Sequence, residues 1–377
     1  MIQLKDICDI YDCPHTTAKD EGKGYPLVRT PNVGKGRLLL NGIHKVSEEV
    51  YNIRNARAIP EEGDLILARE APVGNVSLIM PGQRVCLGQR VVLLKPKREL
   101  VDPNYLTYYL LSAEVQHRLK NHANGAVVAH LNVSDIRDLL VTLPNLDEQV
   151  VIGKILSSID DKIQLNQQIN DNLEQQASSL LSDWISTYPC RTYKLSDICK
   201  YANAKCETGN LTPQNYISTE NMLPNKKGIV EASNIPTGKA TCFKVDDILI
   251  ANIRPYFQKI WKADINGGCS ADVLCIRANI ESHSPILYWL LHQDAFFEYV
   301  MTGAKGCKMP RGDKQHIMNW SIDLPEVQYW ADLATQLGSI DQQIAYNRIE
   351  SINLSNLRDT LLPKLMSGEI KINEIDC

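Results

Sequence analysis

Apolar residues recur at steps of three and four along two long stretches, one near the middle of the chain and one near its end. Their positions in the first are Ile152, Ile155, Leu156, Ile159, Ile163 and Leu173, and in the second Leu337, Ile340, Ile344, Leu354 and Leu361. This period is typical of one apolar face of a helix. Pro144 and Pro325 stand just before the starts, where a helix tolerates proline. Each stretch therefore predicts a helix of about 40 residues, roughly 60 Å long.

The two helical stretches are copies of one sequence. Residues 157–166 read SSIDDKIQLN and residues 338–347 read GSIDQQIAYN, at a spacing of 181. Residues 143–181 share 12 identities in 39 positions with residues 324–362, without a gap. The same spacing holds further upstream, for Leu106 with Leu287, Gly125 with Gly306 and Ile136 with Ile317. The chain is thus predicted to hold two copies of one unit, each a variable domain followed by a helix.

The length of these helices predicts how they pack. A helix of this length cannot bury its apolar face in its own small domain, so we expect the two to form an antiparallel coiled coil. Pro363 is expected to end or kink the second helix. Asn166 and Asn347 interrupt the apolar face. Either they lie in the seam, where a buried polar residue fixes register at a cost in stability, or they face water.

The segments before the helices read differently. Short apolar runs rich in β-forming residues, such as GDLILA and DVLCIRA, are bounded by glycine and proline. Each segment then has one helical run, at 103–122 and 285–303. We expect an α+β fold: two domains with strongly curved sheets, joined and separated by two long antiparallel helices. The predicted boundaries are 1–143 for the first domain, 144–186 for the central helix, 187–324 for the second domain and 325–377 for the C-terminal helix.

Composition places the chain among globular proteins with more than one domain. It has 377 residues, long enough for two or more cores. No run approaches the roughly 18 apolar residues of a membrane span, and the start lacks the pattern of a signal peptide, so a cytoplasmic protein is expected. The eleven cysteines form no C-x-x-C pair, so we expect reduced, packed thiols. A zinc site at Cys13 and His15 is the less favoured alternative.

Charge is distributed unevenly. Residues 144–186 carry a net charge of −5 and residues 325–377 one of −4, although the whole chain has only −4. The two remaining segments together therefore carry +5. This modest basic excess in the variable domains is compatible with DNA binding.

Catalytic signatures are missing from the sequence. There is no G-x-x-x-x-G-K-[ST] phosphate loop, no H-E-x-x-H zinc motif and no G-x-S-x-G nucleophile elbow. There is also no [ND]-P-P-[YF] turn of an adenine methyltransferase, and no convincing metal motif of a nuclease. A duplicated protein with two long helices and no catalytic motif is most simply a binding or scaffolding protein without a metal site.

At this point the residues resemble a known family. LPNLDEQVVIGKILSSIDDKIQLNQQINDNLEQQASSLLSDWI (143–185) is similar to the central conserved region of specificity subunits of Type I restriction-modification enzymes, and LLPKLMSGEI (361–370) to the end of their second conserved region. DCPHTTAKD, LVRTPNV, YISTENM and KMPRGDKQHIMNWSIDLP resemble parts of their target-recognition domains. One departure is visible, because Tyr329-Trp330 stands where the first copy has Glu148-Gln149. It puts equal contacts by the two helix starts in doubt.

The resemblance implies a DNA specificity subunit that catalyses nothing itself. Each domain would read one half of a bipartite site in double-stranded DNA, and the helices would set the gap between the halves. The helices and their flanks would dock two adenine-N6 methyltransferase subunits, and endonuclease/translocase subunits would complete the complex. The chain itself would bind no cofactor: S-adenosylmethionine, ATP and Mg²⁺ would be held by the partner subunits.

Candidate DNA contacts follow from side-chain chemistry. Arginine suits guanine edges, asparagine and glutamine suit adenine, and lysine, serine, threonine and backbone amides suit phosphates. In the first domain the candidates are His15, Thr16, Arg29, Thr30, Asn32, Arg69, Gln89 and Arg90, and, from the loop 120–132, Lys120 and His130. In the second domain they are Ser218, Thr219, Asn221, Asn252, Arg254 and Tyr256, and, from the loop 303–314, Lys305, Lys308, Arg311 and Lys314. The alternative for each is a solvated residue or one that holds a turn. The apolar faces could likewise contact a methyltransferase along part of their length.

Two other classes of function stay open on sequence alone. One is a stand-alone restriction-modification enzyme, against which the missing motifs argue. The other is a structural coiled-coil adaptor, which steeply salt-dependent binding of duplex DNA would exclude.

Overall fold

The computed structural model describes residues 1–122 and 130–370. The chain divides into two compact units, the first formed by Met1–Asn166 with Glu350–Cys377 and the second by Gln167–Ile349. Each unit contains one mixed domain and part of both long helices. The division between units thus falls inside the helices, and the predicted domain boundaries given above stay predictions. Among the described residues, no helix combines the length and apolar character needed to cross a bilayer.

The first domain is built on a five-stranded sheet. Its strands, in spatial order, are Cys8–Asp12, Val91–Pro96, Leu65–Ala68, Val76–Leu78 and Gly36–Arg37. Neighbouring strands are antiparallel except for the last pair. A smaller sheet has the order Lys45–Val46, Tyr25–Val28, Cys86–Leu87, and Ile2–Gln3 pairs with Leu140–Val141. The helices are Leu4–Ile7, Glu48–Arg54, Pro103–Leu111, Ala113–His122 and Val133–Arg137, with a 3-10 turn at Thr30–Asn32.

The five-stranded sheet is covered on both faces. Leu65 and Leu67 point to a core shared with the helices that follow the sheet, whereas Ile66 and Ala68 point to the smaller sheet. Alternate side chains of a strand point to opposite faces, so a strand covered on both sides reads as a continuous apolar run. This explains the unbroken LILA in the sequence.

The second domain repeats this plan. One four-stranded sheet has the order Cys199–Tyr201, Val273–Ala278, Ile248–Ala251, Ile260–Lys262, and a second has the order Lys205–Glu207, Lys239–Phe243, Gly267–Cys269, Tyr216–Ile217. Cys190–Lys194 pairs with Ser321–Pro325. The helices are Leu195–Ile198, Ser284–Leu291, Asp294–Thr302 and Lys314–Met318, with 3-10 turns at Thr208–Asn210, Pro255–Phe257, Glu281–His283 and Val327–Tyr329.

The single helical run expected in each domain is wrong in detail, because each is two helices. In the first domain Ser112 has extended backbone angles between Pro103–Leu111 and Ala113–His122. In the second domain Gln293 is extended before Asp294–Thr302. The apolar period continues across both breaks, so the pattern conceals them.

The two long helices span Leu146–Thr187, with 42 residues, and Trp330–Ser367, with 38. The mixed fold with long antiparallel helices is confirmed. Pro363 lies inside the second helix and does not end it. Within the first unit, the Asp160 carboxylate accepts a hydrogen bond from the Arg358 guanidinium at 2.7 Å. Within the second, the Trp184 indole donates to the Tyr329 carbonyl at 2.9 Å. Contacts of Asn166 with Glu350 in the first unit and of Asn170 with Asn347 in the second give the direction: in each unit a later residue of one helix meets an earlier residue of the other, so the helices run antiparallel.

The apolar face of each helix has two partners, not one. In the first unit Ile152 and Leu156 pack into the domain core together with Leu365 of the other helix. In the second unit Leu337 and Ile340 pack against the domain helix Ser284–Leu291 as well as against the central helix. Ile159 is also buried, while Ile155, Ile163, Leu173, Ile344, Leu354 and Leu361 are half-buried. The expectation that a domain cannot cover its own helix is wrong, because the domain helix forms a third member of the packing.

Both asparagines lie in the seam. Asn166 and Asn347 are 1% and 3% exposed. The Asn166 amide donates to the Glu350 carboxylate at 2.7 Å, within the first unit. The Asn347 amide donates to the Asn170 amide oxygen at 2.8 Å, within the second. These polar pairs join one long helix to the other and suit a role in fixing register.

The repeated aspartate anchors each domain to the helix that follows it. In the first unit the Tyr108 hydroxyl donates to the Asp160 carboxylate at 2.6 Å. In the second unit the Trp289 indole donates to the Asp341 carboxylate at 2.8 Å, and the Lys262 ammonium lies 2.7 Å from it. Tyr108 and Trp289, like the two aspartates, are 181 residues apart. The repeat therefore preserves a carboxylate, and each domain supplies its own aromatic donor.

The departure at the helix starts also has a structural equivalent. The Gln149 amide donates to the Pro144 carbonyl at 3.0 Å, and the Trp330 indole donates to the Pro325 carbonyl at 2.8 Å. Both side chains are 2% exposed. Different residues thus donate to the proline carbonyl at corresponding positions of the repeat, although the first helix begins at Leu146 and the second begins at Trp330 after a 3-10 turn.

Candidate nucleic-acid interface

Three segments meet at one end of the first domain's main sheet. They are the end of strand Leu65–Ala68, the turn before strand Val91–Pro96 and the segment that re-enters after the second domain helix. The Arg69 amide donates to the Arg90 carbonyl at 2.9 Å, and the Leu131 amide donates to the Arg69 carbonyl at 3.1 Å. The main chain thus holds Arg69, Arg90 and His130 together, and we call these residues with their neighbours the first head.

The first head contains a chain of contacting polar side chains. Arg69, 6% exposed, donates to the Asp12 carboxylate at 2.8 Å and to the Leu131 carbonyl at 2.8 Å. Its other terminal nitrogen lies 2.7 Å from the His130 ring. His130 contacts the Glu70 carboxylate at 2.7 Å. The buried guanidinium fork is fully engaged with protein groups, so Arg69 orders this end of the domain.

Exposed cations stand at the edge of this network. Arg90 contacts Glu70 through Nε at 3.0 Å, and its side chain is 62% exposed. A guanidinium has four further N–H donors on its two terminal nitrogens. His15 lies 3.2 Å from Asp12, and Gln89 donates to the His15 carbonyl at 2.7 Å. His15 and Arg90 are thus held near the surface by the half-buried Asp12 and Glu70, and Gln89 is bonded to the main chain of His15, next to the exposed Thr16.

The second domain brings together the three corresponding segments through equivalent backbone hydrogen bonds, an arrangement that we call the frame. Asn252 follows strand Ile248–Ala251 as Arg69 follows its own strand, and the Asn252 amide donates to the Asp272 carbonyl at 2.8 Å. The Gly312 amide donates to the Asn252 carbonyl at 3.2 Å. Asn252, Asp272 and Arg311 occupy the places of Arg69, Arg90 and His130, and we call them with their neighbours the second head. The frame is conserved between the units while the side chains differ completely.

The second head has a basic loop, residues 303–314. Its four cations, Lys305, Lys308, Arg311 and Lys314, are exposed. Arg311 lies 3.1 Å from Asp272, and Lys305 lies 2.7 Å from Asp313. The hydrogen bond from Lys305, with backbone donors from the following turn, lowers the pKa of Asp313 to about 2. Asp313 therefore stays ionised and holds the loop, while Lys308 and Lys314 remain exposed.

Several predicted contact residues are buried within the domains. Asn32 accepts a hydrogen bond from the Arg29 amide at 3.1 Å, and Asn221 accepts one from the Ser218 amide at 2.6 Å. Both asparagines also donate to backbone carbonyls, and they are 8% and 4% exposed. They hold the same turn in the two domains. Thr30 is 9% exposed in the first of these turns.

The remaining candidates are more accessible. Arg29, Ser218, Thr219 and Arg254 are half-buried, and Lys120 and Tyr256 are exposed. The Arg254 amide donates to the Pro310 carbonyl at 2.8 Å, which ties its loop to the basic loop. Lys120 precedes residues 123–129, so most of the predicted loop 120–132 lies outside the described residues.

The sequence interpretation missed the acidic residues of the heads. Asp12, Glu70 and Asp272 position the cations, but a search for DNA contacts favours basic and amide side chains. Glu70 directly follows Arg69 in the sequence, and this adjacency was the available signal. The described part of the chain contains no cluster of three or more side chains suited to hold a metal ion. The ten cysteines within it are free, and burial raises the pKa of Cys8 to about 12.

Comparison with known proteins connects this architecture to a family. Residues 1–175 match the family model of the Type I restriction modification DNA specificity domain. The putative type I restriction enzyme MjaX specificity subunit of Methanocaldococcus jannaschii is 23% identical, over 98% of this chain and 93% of the relative. The MjaIX specificity subunit of the same organism is 23% identical, over 89% and 83%. The chain is thus similar, in its first 175 residues to this domain family and along most of its length to specificity subunits of type I restriction enzymes.

A solved structure shares the fold. The type I restriction-modification S subunit from M. genitalium superimposes with a TM-score of 0.57 at 17% sequence identity, covering 97% of this chain and 95% of the other. All of these similarities are to specificity subunits, and the sequence contains none of the catalytic motifs considered above.

Proposed function

We propose that this chain is a DNA specificity subunit and that it reads a bipartite sequence in double-stranded DNA, one half with each head. The observation that carries the proposal is the shared frame of the two heads. The same three segments meet in both domains, held by the same backbone hydrogen bonds, yet the three corresponding positions are Arg69, Arg90 and His130 in one and Asn252, Asp272 and Arg311 in the other. Two equivalent backbone arrangements with different side chains suit two different half-sites.

We further propose that the long helices fix the number of unread base pairs between the half-sites. Each helix runs without interruption from one unit into the other, as Leu146–Thr187 and Trp330–Ser367. Buried asparagine pairs stabilise one register of the two helices. A rigid connection between two reading domains makes half-site spacing a geometric constant. Adding one helical turn to both helices should change the spacing and leave the half-sites unchanged.

The partners of the proposed complex are those that the resemblance to type I specificity subunits implies. Two adenine-N6 methyltransferase subunits would bind the helices and their flanks and supply S-adenosylmethionine. Endonuclease/translocase subunits would supply ATP hydrolysis and Mg²⁺-dependent cleavage. This chain would contribute sequence recognition and assembly.

A test of the proposal compares one arginine from each head. The chain is assembled with its methyltransferase subunit, and duplex binding is measured over a salt series with each half-site substituted in turn. Arg90→Ala should relax discrimination in one half-site only, and Arg311→Ala in the other only, because a bidentate contact to guanine discriminates by about 1–3 kcal/mol. Arg98→Ala, an exposed arginine of the first unit outside the head, is the matched control.

The outcomes separate the alternatives. Binding that falls steeply with salt and shows two separable half-sites supports the proposal. Binding without sequence preference, or an effect of Arg90→Ala on both half-sites equal to that of Arg311→Ala, contradicts it. No duplex binding by the assembled complex would return the chain to the coiled-coil adaptor alternative.

A further inference from the structure

The second head exposes an aromatic pair that the proposed reading by cations and amides does not use. Tyr256 and Phe257 are 49% and 38% exposed, and their ring centroids are 4.7 Å apart. The chain has four phenylalanines, and the other three are at most 2% exposed. Large exposed aromatic side chains next to each other mark an interaction site more often than a scattered apolar residue does.

The backbone that carries the pair is strained in a localised way. Arg254 and Gln258, which flank the turn Pro255–Phe257, have φ of 51° and 50°, in the left-handed region. Asn225 and Lys226, on the neighbouring loop, have φ of 56° and 62°. These are four of the six described non-glycine residues with positive φ. Such backbone persists only where surrounding structure determines it, and it concentrates at functional sites.

Hydrogen bonds fix this strained turn from two sides. The Asn225 amide donates to the Phe257 carbonyl at 2.8 Å, and the Lys226 amide donates to the Gln258 carbonyl at 2.9 Å. The Arg254 amide donates to Pro310 of the basic loop at 2.8 Å. The turn is therefore braced on two sides, and the main chain at its start is bonded to the basic loop, residues 303–314.

The corresponding place in the first head lacks these rings. After Arg69 the first chain segment continues as Glu70-Ala71-Pro72-Val73-Gly74, whereas after Asn252 the second continues as Ile253-Arg254-Pro255-Tyr256-Phe257. A proline stands three residues after Arg69 in the first segment and three residues after Asn252 in the second. The aromatic pair is thus present in the second head and absent from the corresponding place in the first. A residue that determines only one half-site should be distributed in this way.

We propose that Tyr256 and Phe257 contact DNA through their rings, at a base step next to the bases that the basic loop would contact. The inference rests on the proposed function and extends it. Aromatic side chains contact bases by stacking or by wedging between partly unstacked steps, and flexible pyrimidine–purine steps open most easily. The second half-site would then be read in part through the deformability of the step, and the first half-site would not.

The test uses the full chain assembled with its methyltransferase subunit and a duplex that carries the mapped site. The double variant Tyr256→Ala/Phe257→Ala should bind this duplex about 5- to 100-fold more weakly. The slope of affinity against salt should stay unchanged, since no cation is removed. Tyr256→Phe keeps the ring and should bind like the wild type. Tyr346→Ala, an aromatic side chain 62% exposed on the long helix of the same unit, is the matched control.

A fluorescent base distinguishes DNA contact from other causes. 2-Aminopurine placed at successive steps of each half-site reports a change in stacking when the wild-type complex binds. We expect one position beside the second half-site to respond, and the double variant to abolish that response. Tryptophan emission of the free variants checks that the unit is folded, because all five tryptophans lie in Gln167–Ile349.

Each other outcome overturns the inference. Wild-type affinity and an unchanged 2-aminopurine signal in the double variant would show that the rings do not contact bases. Loss of assembly with the methyltransferase subunit would assign the pair to a protein interface. Equal weakening by Tyr256→Phe would assign the effect to the hydroxyl group. If the wild-type complex has no sequence preference, the proposed function itself fails, which is a distinct result.

Discussion

Replacing Asp341 by alanine tests the anchor between the second domain and its helix. The side chain is 10% exposed, accepts from the Trp289 indole and lies beside the Lys262 ammonium. Removal leaves a buried N–H without this acceptor, which costs about 1–3 kcal/mol. Removing one partner of a buried ion pair costs about 3–5 kcal/mol, but Lys262 retains Asp246 at 3.0 Å. We expect the second unit to lose about 3 kcal/mol of unfolding free energy.

The charge of Asp341 contributes less than its contacts suggest. Burial raises the pKa of this carboxyl, although Lys262 and the Trp289 indole oppose the shift. Ionised Asp341 therefore bears a desolvation penalty that its partners offset only in part. Asp341→Asn retains an oxygen for the indole and avoids this penalty, so we expect it to be less destabilising than Asp341→Ala.

Tryptophan fluorescence is a selective assay for this effect, because all five tryptophans belong to the second unit. Urea unfolding of the full chain, followed by tryptophan emission, should show a midpoint about 1–2 M lower for Asp341→Ala, for a slope of about 2 kcal/mol per M. Gln342→Ala changes the exposed neighbour on the same helix and should stay within about 0.5 kcal/mol of the wild type. Equal midpoints for the two variants would refute the anchor.

Three further predictions concern other sites. Asp160→Ala should destabilise the first unit by about 3 kcal/mol, because the Tyr108 hydroxyl and the Arg358 guanidinium lose this acceptor. Hydrogen exchange in Pro103–Leu111 should become faster, and unchanged exchange would contradict the prediction. Arg69→Lys should weaken discrimination at one half-site about tenfold, because an ammonium cannot replace the guanidinium that bonds both to Asp12 and to the main chain. Competition binding with half-site variants measures this discrimination, and an unchanged value would refute the prediction. Burial lowers the pKa of His292 to about 3, below the value of about 6.5 in an unfolded chain. Below about pH 6.5 the unfolded chain therefore binds a proton that the folded chain does not. The free energy of unfolding should fall by about 1.4 kcal/mol per pH unit from about pH 6.5 towards 3. His292→Gln should flatten the acid dependence of urea unfolding between pH 7 and 5, and an unchanged dependence would contradict this assignment.

The periodic patterns predicted the long helices and the α+β class because both follow from local rules. Apolar steps of three and four extend across 42 and 38 residues, and continuous apolar runs mark strands covered on both faces. The repeat also located Asp160 and Asp341. It did not reveal their donors, since Tyr108 and Trp289 differ in sequence and approach from another part of each domain.

The packing and the heads needed tertiary information. Period alone could not show that Ile152 packs on its own domain as well as on the other helix, nor place Asn166 in the seam. Residue type suggested Asn32 and Asn221 as base readers, but the same amide groups hold turns by bonding to the main chain. Whether an asparagine contacts DNA or holds a turn depends on whether its side chain bonds to the main chain three residues earlier, as it does at Asn32 and Asn221.

The most direct test of the central claim is a map of N6-methyladenine in the DNA of cells that express this chain with its methyltransferase subunit. Two heads on one chain predict an interrupted motif, with two specific half-sites and a fixed number of unspecified base pairs between them. Arg311→Ala should relax one half-site and leave the gap and the other half unchanged. A continuous motif, or methylation without sequence preference, would contradict the account.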